Sequence, residues 1–63
     1  MYVVGEEGRG NREAFDILEG AFGAREFEAS EAAAVLQSSL ELSELEASRL
    51  VRRLIESDVI KEV

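Results

Sequence analysis

Arg49, Arg52 and Arg53 are the residues of this chain best suited to chemistry with another molecule. A guanidinium is a planar fork of donors that pairs with two phosphate oxygens or with the edge of guanine, and it keeps its charge at physiological pH. The three form the one cluster of positive charge in the sequence, inside Leu42–Val63, LSELEASRLVRRLIESDVIKEV. Solubility is the competing explanation. Glu46 stands three residues before Arg49, and Glu56 stands four after Arg52 and three after Arg53. Helical pairs at such spacings contribute only about 0.2–0.5 kcal/mol each, too little to hold an arginine back from a better partner. Leu45 is of the opposite character. At about 100° per residue it falls about 160° from Ala47, on the solvent side between Arg49 and Arg52, where it suits a protein contact or a thymine methyl. A lone exposed leucine is also ordinary in itself.

Other chemistry is poorly provided for. The chain has no histidine and no cysteine, so the usual general base, imidazole and thiolate ligands and disulfides are all absent. Acidic pairs such as Glu26/Glu28 and Glu41/Glu44 lack a second converging cluster, and 63 residues leave little chain for a pocket. The expectation is a protein that is not an enzyme, with no cofactor, no metal and no small-molecule substrate. VVGEEGRGNRE has the strand, glycine loop and helix start of a phosphate cradle. The spacing of Gly5, Gly8 and Gly10 matches neither dinucleotide nor P-loop patterns, and Glu6 and Glu7 would repel phosphate, so a flexible linker is expected.

Charge is unevenly spread. The formal charge of −7 combines residues 1–46, with 11 acids against 3 arginines, and residues 47–63, with 4 bases against 3 acids. The acidic balance opposes non-specific affinity for a phosphate backbone, while the basic end leaves a local contact open. No apolar run reaches the roughly 18 residues of a membrane span, and MYVVGEE lacks a basic leader, so a cytoplasmic protein without membrane contact is expected. At 63 residues the chain makes one small domain, which buries only about 60% of its extended surface.

The positioning elements follow from period and caps. Ser43 and Glu46 make an S-x-x-E capping box, with Leu42 and Ala47 placed as a hydrophobic staple. Ala47, Leu50, Val51, Leu54 and Ile55 then recur along one helical stripe, with the arginines opposite. Upstream, Asn11 is an N-cap for a helix over 12–22 with Ala14, Phe15, Leu18, Ala21 and Phe22 on one face, closed by Gly23. Residues 25–28 read as a brief extended link with Phe27 inward. Ser30 is placed to cap a helix over 31–40 whose stripe is Ala32, Ala33, Leu36 and Leu40, and Ala32, Ala33 and Ala34 suit a closely approaching neighbour. Residues 1–4 and 59–63 are β-prone. The alternation in VIKEV leaves open which side of that strand faces inward.

Helix, extended link, helix, turn, capped helix and strand, carried by FEASEAAAVL at 27–36 and LSELEASRLVRRLIESDVI at 42–60, resemble the winged helix-turn-helix family of DNA-binding domains. The resemblance covers residues 11–63 and implies a mainly α fold, a three-helix core with a small β-sheet and a truncated wing. Residues 1–10 would be an N-terminal strand and a glycine-rich segment. It implies that Ser43 caps the reading helix and that Glu44, Leu45, Ser48, Arg49 and Arg52 face a major groove, with Arg53 beside them. Three departures carry consequences, one being that Glu44 and Glu46 lie in the first turn of the reading helix, where they suit the helix dipole and the cap but repel phosphate. The turn is longer by roughly four residues, Gln37 to Glu41, and has no glycine, which implies a longer second helix or a looser turn. No second wing strand follows Val63, and Tyr2–Val4 is expected to pair with 59–63 and supply it. The expected partner is double-stranded DNA in transcription regulation, with the chain a homodimer or other homo-oligomer. The alternative is an acidic protein-interaction module, a nucleic-acid mimic among its variants.

Overall fold

The computed structural model describes residues 1–5 and 11–63. The glycine segment at 6–10, including the supposed linker and phosphate loop, lies outside the described residues. The element order is β1 (Tyr2–Val4), α1 (Arg12–Phe22), α2 (Ala29–Leu40), α3 (Glu44–Glu56) and β2 (Ile60–Glu62). Among the described residues, three helices and a two-stranded antiparallel sheet thus make a mainly α domain, as the resemblance implies.

Helix α1 starts at Asn11, whose carbonyl, not its side chain, accepts the first helical bond from the Phe15 amide at 2.9 Å. Its buried line is Ala14, Leu18 and Phe22, with Phe15 half-buried. Ala21, expected on this face, is exposed instead. The elements packed on α1 are α2 and β1, and they cover the Ala14–Phe22 line but not its flank. Gly23 ends the helix at φ 57, ψ −126. These are the first central angles of a II′ turn, which only glycine adopts freely, and the Arg25 amide closes it on the Phe22 carbonyl at 3.0 Å. The chain returns so that the Phe22 and Phe27 rings stack at 4.3 Å, with the Arg25 guanidinium 5.0 Å above the Phe22 ring.

Helix α2 begins two residues before the expected start. Glu28, not Ser30, holds the N-cap, and the Glu31 carboxylate accepts from the Glu28 amide at 3.0 Å. Both acids favour the positive end of a helix, and the glutamate at the third helical position fits the box where Ser30 would have none. The helix runs on to Leu40, so the long segment between the periodic stretches is mostly helix and the turn is only 41–43. Glu41 reverses the chain in the left-handed region at φ 55, and the Leu42 amide reaches back to the Gln37 carbonyl at 3.0 Å.

The Ser43 box is present as the sequence predicts. The Ser43 hydroxyl accepts from the Glu46 amide at 3.1 Å, and the Ser43 amide donates to the Glu46 carboxylate at 2.9 Å. Ala47, Val51 and Leu54 are buried along α3, with Leu50 and Ile55 half-buried. A Schellman motif closes the helix, with Asp58 left-handed at φ 62, its amide on the Ile55 carbonyl at 3.2 Å and the Val59 amide on the Leu54 carbonyl at 2.9 Å.

That turn settles which side of the last strand is inward. Val59 is buried as part of the helix stop, and Ile60 opens β2 facing the core, leaving Lys61, Glu62 and Val63 exposed. β1 and β2 pair antiparallel with Tyr2 opposite Glu62, Val3 opposite Lys61 and Val4 opposite Ile60, so the expected pairing of the N-terminal strand with the last one holds. On its other edge the Tyr2 amide donates to the Phe27 carbonyl at 2.7 Å and the Phe27 amide donates back at 2.8 Å. β1 is therefore bonded on both sides. The core beneath it combines Leu18, Phe27, Leu36, Leu54, Val59 and Ile60, all fully buried.

Candidate functional site

The outward side of α3 collects four of the six residues singled out from the sequence. Leu45, Ser48, Arg49 and Arg52 line one shallow groove of ≈ 290 Å³. Leu45 is 60% exposed, which is large for a leucine at the centre of a helix face. The other two stand apart. The Ser43 hydroxyl is occupied in the cap. Arg53 is rotated about 100° from Arg52, toward half-buried Leu50, and does not line the groove.

Among the described residues, no acid forms an ion pair with Arg49, Arg52 or Arg53. Glu46, the i−3 neighbour of Arg49, is turned back to cap its own helix. The ion pairs among the described residues lie elsewhere, Arg12 with Asp16 and Arg25 with Glu31, each at 4.0 Å and exposed. Glu46 itself has its pKa lowered from an ordinary 4.5, first by the hydrogen bond from the Ser43 amide and then by that from the Ser43 side chain. A carboxylate that accepts two hydrogen bonds is favoured in its charged form.

A second groove adjoins the first, and sequence reasoning did not find it. Its floor is apolar, with Ala29 and Ala33 from α2 and Val51 and Ile55 from α3, and Ser30, Ser48 and Arg52 stand at its sides. Its volume is ≈ 280 Å³. Ser48 and Arg52 belong to both grooves, so the two form one continuous surface across α3. The signal present in the sequence was the alanine run of α2, which predicts a close neighbour and, with side chains this small, a trough beside it.

Among the described residues no group of three or more His, Cys, Asp and Glu is placed to hold a metal. No helix there is long and apolar enough to cross a membrane. In comparisons with known proteins, no family model, curated protein or solved structure matches this chain.

Proposed function

We propose that this chain is a small winged helix-turn-helix domain that contacts double-stranded DNA through the outward face of α3. The observation that carries the reading is the pairing of Arg49 and Arg52, without carboxylate partners among the described residues, beside Leu45 and Ser48 on a rigidly capped helix. A helix presented in this way fits a major groove, with arginines toward phosphate or guanine and Leu45 toward a thymine methyl. In this reading β1 takes the place of the second wing strand. Transcription regulation is the corresponding role.

The test is anisotropy of a labelled random-sequence duplex at low salt. Arg49→Glu with Arg52→Glu is expected to abolish binding while the circular dichroism stays that of the parent chain. With about three phosphate contacts, from Arg49 and Arg52 on the face and Arg53 at its margin, the log–log salt slope is expected near −2.7. Unchanged binding after the double reversal removes α3 as the reader.

A second reading, an acidic protein-interaction module, is favoured by the apolar floor of the adjoining groove and by the formal charge of −7. Apolar surface open to solvent beside a polar rim marks protein contacts more than phosphate contacts. Amide shifts confined to α3 on adding duplex support DNA; silence there, with self-association in sedimentation, supports the module.

A further inference from the structure

The groove between α2 and α3 has an apolar floor with a guanidinium at its side, so its occupant must bring an aliphatic side chain with a carboxylate close by. At ≈ 280 Å³ and open to solvent it lies just below the roughly 300–1,000 Å³ of small-molecule sites, and it suits side chains delivered by another surface. The chain itself presents such a group. Among the described residues the exposed large hydrophobics are Met1, Leu45 and Val63. Met1 and Val63 lie side by side at the strand ends, where the Val63 amide donates to the Met1 carbonyl at 3.0 Å. Leu45 follows directly on Glu44, an acid in the first turn of α3 that makes no ion pair among the described residues.

We propose that a second copy of this chain occupies the groove, with Leu45 of each copy entering the groove of the other. Leu45 stands in the first turn of α3, whereas the groove wall on that helix extends from Ser48 to Ile55. Reciprocal insertion about a two-fold axis therefore runs the two α3 helices antiparallel, with the axis near Ser48 and Arg49. The same arrangement brings Glu44 of each copy beside Arg52 of the other and opposes the helix dipoles. Arg49, nearest the axis, faces its own counterpart, and this like-charge contact keeps the dimer weak and reversible. The docking does not depend on the DNA reading. One consequence does rest on it: the dimer covers the face assigned to duplex, so duplex and self-association compete.

Sedimentation velocity over a wide concentration range, without DNA, tests the docking. The parent chain is expected to shift toward dimer as concentration rises. Leu45→Ser, at an exposed position, is expected to weaken association by about tenfold or more. Glu44→Arg and Arg52→Glu are each expected to stay monomeric alone, and an equimolar mixture is expected to regain the dimer, because each reversal is met by its complement across the axis. Circular dichroism of each variant separates lost docking from lost folding. A parent chain monomeric throughout, a Leu45→Ser chain that associates like the parent, or a mixture that stays monomeric overturns the proposal. Duplex binding measured on dilute protein stands or falls separately, so failure of one reading is not failure of the other.

Discussion

Leu54 shows how little margin a single side chain leaves in a domain this small. It is fully buried on α3, in one cluster with Leu18, Phe27, Leu36 and Ile60. Truncating such a leucine costs about 2–5 kcal/mol, from lost transfer energy and the cavity left behind. A chain of 63 residues has a total stability of about 3–9 kcal/mol. Leu54→Ala is therefore expected to lose between about a fifth and all of its stability, seen as a lowered urea midpoint; an unchanged midpoint would mean that the core is assigned to the wrong residues. Glu46 gives a residue-scale prediction of another kind. Its pKa is lowered on folding by the hydrogen bonds from Ser43. Its contribution is therefore present above the ordinary value of 4.5 and is lost as pH falls through the lower folded value. Acidification through that window is expected to loosen the first turn of α3, and Glu46→Gln should flatten this part of the stability–pH curve in thermal melts.

At the scale of elements, two helices stop without the glycine that such stops favour. Glu41 after α2 and Asp58 after α3 both adopt positive φ, and both closures bring a later amide back across the helix end. A side chain in the left-handed region costs roughly 1–2 kcal/mol, and glycine avoids that cost while losing roughly 0.5–1 kcal/mol of chain entropy on folding. Glu41→Gly is accordingly expected to stabilise the domain by about 0.5–1 kcal/mol, measurable as a higher melting temperature with α2 still ending at Leu40. A destabilised variant would show that the Glu41 side chain contributes something its exposed position does not reveal. The turn matters for the site because it sets how α3 projects. A three-residue connection through Glu41 to capped Ser43 holds α3 against α2 and opens the trough over Ala29 and Ala33.

For the molecule as a whole, β1 is the closing piece. It is hydrogen-bonded to β2 along one edge and to Phe27 along the other, tying the N-terminus to the link between α1 and α2 and to the end of the chain. The Gly5 amide extends the pairing to the Val59 carbonyl at 2.7 Å. The backbones approach so closely there that a Cβ on Gly5 would lie 2.6 Å from the Asp58 carbonyl oxygen. Gly5→Ala is therefore expected to push β1 from β2, with faster amide exchange at Val3, Lys61 and Val63, whose amides face across the pair in this register, and a lower melting temperature; parent-like protection would mean that this contact relaxes freely. Beyond β1, the edge of β2 carries Lys61 and Glu62, whose charges discourage further strands from adding. The radius of gyration, 10.0 Å, is close to the roughly 10.6 Å of a folded chain of this length, so the closure is achieved without a loose end among the described residues.

Much of this was legible in the residues because it is local. The Ser43–Glu46 box, the stripe of α3, the stop at Gly23 and the exposure of Leu45 follow from caps and period, which act within a turn or two of the chain. The strand pairing was foreseeable from two short β-prone ends and the lack of any other partner for either. Tertiary packing decided the rest. Ile60 faces inward because Val59 is used in closing α3, Ala21 is exposed because neighbouring elements cover only the centre of its stripe, and α2 starts at Ala29 because Glu28 and Glu31 complete a cap that Ser30 cannot. The groove beside Arg52 exists only where α2 and α3 meet, and no period or cap within either helix encodes the distance between them.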